Sequence, residues 1–379
     1  MPQSRRPPPS TASSKGKQSK PDKQKNTSTG QRTGIKRKDK NAAKSTNPLV
    51  LSQFKAILST FQHTFSHLFT PELPALIQAV KQSLYLRDYV AAFDSPEKLQ
   101  AYVVRWSVAR ALAYFEMISG AWWSEEVTQM FSRRGHGTLN VTCIGGGAGA
   151  EVVGIAAAYS SLNSPVEDKD KGEGEEEDAV LQDTSLGGGL DLTLLDFATW
   201  APITDSLYTT ITDSSRQSKV FLDKTKLSAK CHQQDVLTPL SETTISSMAS
   251  ADIVTILFTA GELYSQSPTA TTRFFMSLHA LTKPGALLVI VDSAGGFEDL
   301  DVLKKGNSSV ETQQSSSIGG YKLGFLLDKT LTNREQWQTI ASQDAKWWRV
   351  PQELKDSGAY PLELENMRCL IRVYRRNDE

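Results

Sequence analysis

The fold is decided by a stretch in the middle of the chain that reads LNVTCIGGGAGAEVVGIAAAY, residues 139–159. Its first six residues are a nearly continuous apolar run, typical of a strand buried inside a parallel sheet. Five residues follow at once, four of them glycine, and glycines at such a turn let the backbone approach a ligand without a Cβ clash. From residue 150 onward the pattern is that of a helix. The stretch therefore predicts a strand, a ligand-binding loop and a helix in direct succession.

Apolar runs of strand length recur after this stretch and alternate with helical patterns. The predicted strands are residues 190–195, 226–231, 253–258, 286–291 and 369–374, and a predicted helix at 271–281 precedes the turn at 283–285. This alternation predicts βαβ crossovers and a mostly parallel, Rossmann-like α/β sheet. The end of the chain, with Trp337, Trp347, Trp348 and the last predicted strand, is expected to complete the sheet as an antiparallel edge.

Helical periodicity fills the segment before the first strand. It begins near Asn47-Pro48 and continues through residues 61–69, 73–89 and 98–118, with Asp94-Ser95-Pro96 supplying an N-cap and a first-turn proline. We expect these helices, residues 47–134, to form a cap in front of a catalytic α/β domain that spans residues 135–379.

The formal charge of the 379-residue chain is zero, 42 basic against 42 acidic side chains, but the two signs are segregated. Residues 1–46 are rich in Lys and Arg, with only Asp22 and Asp39 against them, and predict a disordered basic tail. Residues 164–189 contain an acidic run and predict a disordered insertion in the α/β domain. A basic tail can neutralise nucleic-acid phosphates, and the run Lys36-Arg37-Lys38 can act in nuclear import.

Several classes of protein are disfavoured by what the sequence lacks. The three cysteines are far apart, which predicts free thiols in a reducing compartment rather than disulfides. There is no CxxC pair for zinc, no apolar stretch long enough to span a bilayer, and no signal peptide after the first methionine. The absence of GxxxxGKS/T disfavours a P-loop NTPase. We expect no metal and no membrane partner, and a location in the nucleus, the nucleolus and the cytoplasm.

Candidate ligand-binding residues follow the first two predicted strands at their carboxyl ends, where open α/β sheets bind ligands. Gly145, Gly147 and Gly149 give the spacing GxGxG, which favours a methyl-donor pocket, although the looser GxGxxG/A of nicotinamide dehydrogenases is also satisfied. Asp196 ends the second strand, where a carboxylate can accept both hydroxyls of a ribose. Removing the predicted insertion restores the interval of roughly 20 residues between glycines and acid. The alternative role of Asp196 is that of a helix N-cap.

Two further strand ends carry candidates. Asp235 follows the third strand and can accept a hydrogen bond from an adenine amino group, while Val236 offers a backbone amide; the alternative is a solvated turn. Thr259 and Glu262 follow the fourth strand and could line the methyl donor, with Glu262 equally suited to the start of a helix.

These motifs resemble those of the class I methyltransferases, and more specifically those of the fungal 25S ribosomal RNA uridine-N3 methyltransferase family. The resemblance covers residues 48–376 and is carried by YVVRWS at 102–107, CIGGGAGAE at 143–151, LFT with ELY at 257–264, and ELENMR at 363–368. It implies S-adenosylmethionine as the cofactor and a uridine of the large-subunit ribosomal RNA as the methyl acceptor.

The resemblance also implies roles for single residues. By it, the methionine part of the cofactor is cradled by Gly145, Gly147 and Gly149, the ribose is bound by Asp196, and the adenine is flanked by Asp235 and Val236. Cys143 departs from the class I pattern, which commonly has an acidic residue there. Glu151 or Arg105 is therefore expected to reorganise that side of the pocket.

On the substrate side, methylation of a uridine N3 needs a group that favours loss of the imide proton. No residue identifies itself as this base; the candidates are Glu262, Asp292, Glu363 and Glu365. Arg105 beside Trp106 could hold the cofactor's carboxylate or stack an extruded base, the alternative being an ordinary amphipathic helix. The run Trp347-Trp348-Arg349 could form a stacking platform or pack into the core.

Taken together, the sequence predicts an S-adenosylmethionine-dependent methyltransferase whose partner is ribosomal RNA or a pre-ribosomal particle. Two alternatives stay open. One is a noncatalytic ribosome-assembly factor with a degenerate methyltransferase fold, which Cys143 keeps possible. The other is a methyltransferase that uses the same cofactor pocket on a protein or a small molecule.

Overall fold

The computed structural model describes residues 46–132, 137–164, 188–213, 221–294 and 322–378. The predicted basic tail, except for its last residue, lies outside these ranges, and so do residues 165–187 of the predicted acidic insertion. The described residues from Thr46 onward belong to one compact unit.

Seven strands form one sheet: β1 Leu139–Ile144, β2 Leu190–Asp196, β3 Leu227–Gln233, β4 Ile253–Leu257, β5 Leu287–Ser293, β6 Trp337–Trp348 and β7 Met367–Arg376. Their order is β3-β2-β1-β4-β5-β7-β6. The first five strands are parallel, and β7 runs antiparallel to both β5 and β6. The predicted Rossmann-like sheet, mostly parallel with an antiparallel edge, is confirmed.

The last two strands differ from the expectation in one respect. The terminal strand β7 is not the edge, because it lies between β5 and the long strand β6. Sequence patterning did not identify β6, since its residues alternate poorly between exposed and buried. Register shifts between Thr339 and Ala341 and between Gln343 and Lys346 interrupt its pairing with β7 and explain the irregular pattern.

Helices surround the sheet: α1 Pro48–Thr64, α2 Leu73–Tyr85, α3 Tyr89–Ala92, α4 Pro96–Tyr102, α5 Val108–Ser119, α6 Glu125–Phe131, α7 Ala150–Asn163, α8 Ala201–Thr212, α9 Glu242–Ser250, α10 Ala260–Gln266, α11 Pro268–Leu281, α12 Leu323–Thr332 and α13 Gln352–Asp356. The predicted N-cap of α4 is confirmed, because Ser95 accepts a hydrogen bond from the amide of Lys98 and Pro96 begins the helix. No helix among the described residues is long and apolar enough to cross a membrane.

The predicted helix 98–118 is interrupted between α4 and α5 by a π-helical turn, Val103–Ser107. A π turn adds a residue to one helical turn, so the residues after it are rotated around the axis relative to a regular helix. The turn contains most of the YVVRWS motif, and such turns are frequent at functional sites. It determines which arginine of this segment faces the sheet.

Helix α5 packs directly on α7, the helix that follows the glycine loop, and Gly154 makes the close approach possible. A Cβ at this position would lie 2.7 Å from the carbonyl oxygen of Ala111. The core shared by α1, α5, α7 and the strands is continuous. The helices before β1 therefore share their core with the sheet.

Replacing Gly154 by alanine is expected to destabilise the protein by about 1–3 kcal/mol, because the added methyl group overpacks the contact of α5 with α7. Helix propensity alone predicts the opposite, a gain of about 1 kcal/mol. Chemical denaturation of the variant decides between the two, and a stabilised Gly154→Ala would show that the two helices are not held this closely.

Candidate functional site

A cleft lies at the carboxyl ends of β1, β2 and β4, where the strand order changes direction around β1. The register aligns Ile144 of β1 with Leu195 of β2 and Ile256 of β4, so the residues after these strands meet at one edge of the sheet. The cleft encloses about 750 Å³, the solvent at its mouth included. Of the residues predicted from sequence, Gly145, Asp196, Asp235, Val236, Thr259 and Glu262 line it.

The glycine loop is shaped by three different close contacts. Gly145 has a φ of +76°, and a Cβ there would lie 2.1 Å from the Oγ1 of Thr259. A Cβ on Gly147 would lie 2.4 Å from Trp200, and one on Gly149, whose φ is +83°, would lie 2.3 Å from Leu207. Only Gly145 borders the cleft; Gly147 and Gly149 allow the loop to pack against Trp200 and against α8.

Asp196 joins the loop to the cleft. The carboxylate is buried, its Oδ2 accepts a hydrogen bond of 3.1 Å from the amide of Gly147, and its Oδ1 accepts one of 3.3 Å from Ala198. Burial raises the pKa of Asp196 to about 6. The N-cap residue of α8 is Trp200, so the N-cap role considered for Asp196 is wrong. Its carboxylate instead fixes the glycine loop next to the cleft.

The third strand end contributes to the cleft and also forms a turn. Asp235 and Val236 line the cleft. Asp235 also forms a turn, because its Oδ1 accepts a hydrogen bond of 2.9 Å from the amide of Leu237 and its carbonyl oxygen accepts one from Thr238.

At the end of β4 the chain adopts a strained conformation. Phe258 has a φ of +57°, a value that costs a residue with a side chain about 1–2 kcal/mol. The guanidinium of Arg110 lies over the Phe258 ring, 4.8 Å from its centre. Strain of this kind persists where the surroundings fix it and is common at functional sites.

Three acidic side chains interact with Arg110 around this end of the cleft, and Asp196 lies nearby as a fourth acid. Burial raises the pKa of Glu151 to about 8 and that of Glu262 to about 8, and it also raises the pKa of Asp292. Arg110 lowers the pKa of all three by its charge, but less strongly. A ligand that brings positive charge would therefore favour the ionised form of these carboxyl groups.

Glu151 lies beside Cys143, the position at which the class I pattern commonly has its acidic residue. A Cβ on Gly146 would lie 2.7 Å from the Cβ of Cys143 and 3.4 Å from the Cγ of Glu151, so the two side chains are close neighbours. Cys143 is fully buried, and burial raises the pKa of its thiol. The first turn of α7 thus supplies to the cleft the carboxylate that the end of β1 lacks.

Arg105 and Arg110 divide the roles that the sequence suggested for Arg105 alone. Arg105 is not brought together with the other predicted residues: it donates to the carbonyl oxygen of Glu363, at 3.1 Å, and forms an ion pair with Glu365. Arg110 lines the cleft and donates a hydrogen bond of 2.6 Å to the hydroxyl of Tyr102. A regular helical pattern does not reveal that Arg110, rather than Arg105, faces the cleft.

A second cavity adjoins the cleft, and Arg110 and Phe258 line both. Its other polar and aromatic residues are Arg105, Trp106, Ser293, Glu365, Asn366 and Arg368. Of the four candidates for a base, Glu262 lines the cleft and Glu365 the second cavity. The carboxylate of Asp292 accepts hydrogen bonds from two backbone amides, that of Gly261 at 2.8 Å and that of Ser293 at 2.7 Å.

The tryptophan pair near the end of β6 is split between the core and the surface. Trp348 is buried and donates a hydrogen bond of 2.9 Å to Glu116. Trp347 is 50% exposed and lies under the guanidinium of Arg349, 5.0 Å from the ring centre. Only Trp347 is therefore available as a stacking surface.

The cleft fits a nucleoside that carries an amino acid and a sulfonium. In the described part of the chain, two buried hydroxyls that line it, Ser107 Oγ and Tyr114 OH, have no hydrogen-bond partner. Buried polar groups are normally paired, so their place in the cleft suits polar ligand atoms. Carboxylates suit an ammonium and a ribose. Among the described residues, no group of His, Cys, Asp and Glu is arranged to hold a metal ion.

Comparisons with known proteins agree with this geometry. A family model described as "Putative SAM-dependent methyltransferase" matches residues 61–375. The 25S rRNA (uridine(2843)-N(3))-methyltransferase of Saccharomyces cerevisiae is 29% identical over 311 residues, which cover 79% of this chain and 77% of that protein. The resemblance to the fungal family, expected from the motifs, is thereby confirmed.

Solved structures with a similar fold include two methyltransferases. A SAM-dependent methyltransferase of Methanosarcina mazei has a TM-score of 0.36 and 13% identity, over 64% of this chain and 95% of that one. The N-methyltransferase NodS of Bradyrhizobium japonicum, in complex with S-adenosyl-L-homocysteine, has a TM-score of 0.32 and 14% identity, over 66% and 86%. With the family model matching most of its length, this chain belongs to the SAM-dependent methyltransferases and uses S-adenosylmethionine.

Proposed function

We propose that this methyltransferase methylates N3 of a uridine in large-subunit ribosomal RNA, with its cofactor held in the cleft beside the glycine loop. The observation that carries the cofactor site is the contact of Asp196 with the amide of Gly147, which ties the loop to the acid at the end of β2. The substrate class is supported by the relative from yeast, which acts on uridine N3 of 25S rRNA.

Each part of the cofactor has a proposed partner in the cleft. Asp196 accepts hydrogen bonds from the ribose hydroxyls, and Asp235 with the amide of Val236 contacts the adenine. Gly145 and Thr259 border the methionine end. We replace Arg105, predicted there from sequence, by Glu151 and Arg110: the carboxylate of Glu151 accepts from the ammonium, and Arg110 donates to the carboxylate.

When bound, S-adenosylmethionine supplies an electrophilic methyl group, whose bond to sulfur breaks during transfer and leaves a neutral thioether. The cleft favours the donor over the product electrostatically. The donor carries one more positive charge than the thioether product, and the acidic groups around Glu151 and Glu262 attract that charge. Release of the product is correspondingly easier than release of the donor.

One feature argues against each of the two alternatives considered from the sequence, the noncatalytic factor and the methyltransferase of proteins or small molecules. A noncatalytic assembly factor would have lost the acidic group near the end of β1, whereas Glu151 provides one in the cleft. A methyltransferase of proteins or small molecules has no need of a basic surface. Arg105, Arg349, Arg368 and the basic tail support RNA as the substrate, and the run Lys36-Arg37-Lys38 in the tail supports import into the nucleus.

The test is transfer of labelled methyl groups from S-adenosylmethionine to large-subunit rRNA transcribed in vitro, with total protein and small-subunit rRNA as parallel acceptors. We expect label in the large-subunit RNA only. N3-methyluridine cannot form a Watson–Crick pair, so it stops reverse transcription and locates the nucleotide. Label in protein, or in no macromolecule at all, would overturn the proposed function.

A further inference from the structure

The second cavity lies where a methyl acceptor has to lie. It touches the cofactor cleft along the pair Arg110 and Phe258, which belong to both. Its far side is built from the π turn, with Arg105 and Trp106, and from the segment before β7 that contains Glu365. A group held there would face the strained end of β4, across which the proposed cofactor site begins.

The polar groups that line this cavity combine hydrogen-bond donors with a carboxylate acceptor. Glu365 contributes a carboxylate, and its Oε1 is already held by Arg105. A carboxylate accepts several hydrogen bonds, so further acceptor sites remain. Donors line the same cavity: Arg105, Arg368 and the amide nitrogen of Asn366, whose Oδ1 accepts a hydrogen bond of 2.9 Å from the amide of Val350.

This combination is the complement of one nucleobase edge. Uracil presents an acceptor, a donor and an acceptor at O2, N3–H and O4. Cytosine and adenine present a ring-nitrogen acceptor at the equivalent place, which a carboxylate repels. A mismatched set of hydrogen bonds to a base costs about 1–3 kcal/mol in recognition by proteins.

The surroundings suit an extruded nucleotide. Trp106 offers a ring for stacking, with the Arg105 guanidinium 5.6 Å from its centre. A neighbouring groove shares Ser293 and Arg368 with the cavity and adds Lys322, which can contact phosphates. Arg368 is paired in register with the exposed Trp347 of β6, so this surface continues outward from the cavity.

We propose that the second cavity binds the uracil of the target nucleotide after it leaves the RNA stack, with Glu365 accepting the hydrogen bond from N3–H and Arg105 and Arg368 donating to the oxygens. This assignment rests on the proposed function. It also names the proton acceptor: the N3 proton passes to a carboxylate oxygen of Glu365, and the electron pair left on N3 forms the bond to the methyl carbon. Glu365 is thus a catalytic residue and sets the specificity for uracil.

The experiment compares Glu365→Gln with Glu363→Gln, an exposed carboxylate two residues away whose side chain does not line the cavity. The probe is the rRNA fragment that carries the mapped uridine, made also with cytidine at that position and with 2-aminopurine beside it. S-Adenosylhomocysteine is present so that no transfer occurs. Two quantities are measured, the affinity ratio of uridine to cytidine RNA and the fluorescence of 2-aminopurine.

For the wild type we expect at least a tenfold preference for uridine RNA and a rise in fluorescence as the target base leaves the stack. Glutamine can donate to a ring nitrogen, so Glu365→Gln should lower the preference to within threefold while Glu363→Gln keeps it. The affinity of both variants for S-adenosylmethionine, measured by calorimetry, should equal that of the wild type.

The outcomes separate the two proposals. If the wild type methylates large-subunit rRNA but Glu365→Gln keeps the full preference for uridine, the cavity assignment is overturned and the proposed function stands. If the fluorescence does not rise on binding, the base is not extruded into the cavity and the assignment is again overturned. If no RNA is methylated by the wild type, both fall together.

Discussion

Gly145→Ala is expected to lose at least tenfold in affinity for S-adenosylmethionine and about 2–4 kcal/mol of stability, because it combines two costs. The φ of +76° is strained for alanine, and the new Cβ would lie 2.1 Å from the Oγ1 of Thr259. Relief requires the loop or the end of β4 to move, and both border the cleft. Calorimetric titration and chemical denaturation measure the two losses.

The chain offers a matched control for the backbone part of this effect. Gly285 has the same φ of +76°, but a Cβ there meets nothing within 4 Å. Gly285→Ala should therefore cost only about 1–2 kcal/mol of stability and leave donor binding unchanged. Adding Thr259→Gly to Gly145→Ala removes the overlap and should restore part of both losses. Equal behaviour of the two alanine variants would show that Thr259 does not restrict the loop.

The stability of the ligand-free protein is expected to fall as pH rises from about 4.5 to about 8, with Glu151 as a principal cause. Burial raises the pKa of Glu151 to about 8, so within this window the folded state keeps a proton that the unfolded chain has released. The folded state is then disfavoured by about 1.4 kcal/mol per pH unit for each such carboxyl group. Glu262, with its pKa raised to about 8, adds to the slope.

Glu151→Gln should flatten this pH dependence, because the amide does not ionise. Glu242→Gln, in the exposed first turn of α9, serves as the control and should keep the wild-type slope. Donor binding should show the reverse trend: a positive ligand favours the ionised carboxylates, so its affinity rises with pH and its binding releases protons. Denaturation curves between pH 5 and 8 that superimpose for wild type and Glu151→Gln would contradict the assignment.

Much of the fold could be predicted from the sequence, because the apolar runs and turn residues indicate the same strands and helices that the sheet requires. The strand, glycine loop and helix at residues 139–159 occur as predicted, and each of the first five strands lies within a few residues of its apolar run. Strand β6 was missed because bulges shift its register against β7, which disturbs the alternation that marks a strand. Buried parallel strands can therefore be predicted from their apolar runs, whereas an irregular edge strand cannot.

The site residues that follow strands could be predicted from the sequence. Those whose position depends on how a helix is rotated about its axis could not. Asp196, Asp235 and Thr259 follow strands directly, so topology alone brings them to one edge. Arg110 reaches the cleft because a π turn changes the phase of its helix, which composition does not reveal. Gly147 and Gly149 were assigned to the cofactor, but their missing side chains make room for Trp200 and Leu207.

The most direct test of the central claim, that the acid at the end of β2 and the glycine loop together hold the cofactor, is a calorimetric titration of S-adenosylmethionine into three proteins. These are the wild type, Asp196→Ala and Asp205→Ala, the last an exposed aspartate of α8. We predict that the wild type binds, that Asp205→Ala matches it, and that Asp196→Ala is weaker by about 1–3 kcal/mol. A wild type that fails to bind, or an Asp196→Ala that binds as tightly as the wild type, would contradict the claim.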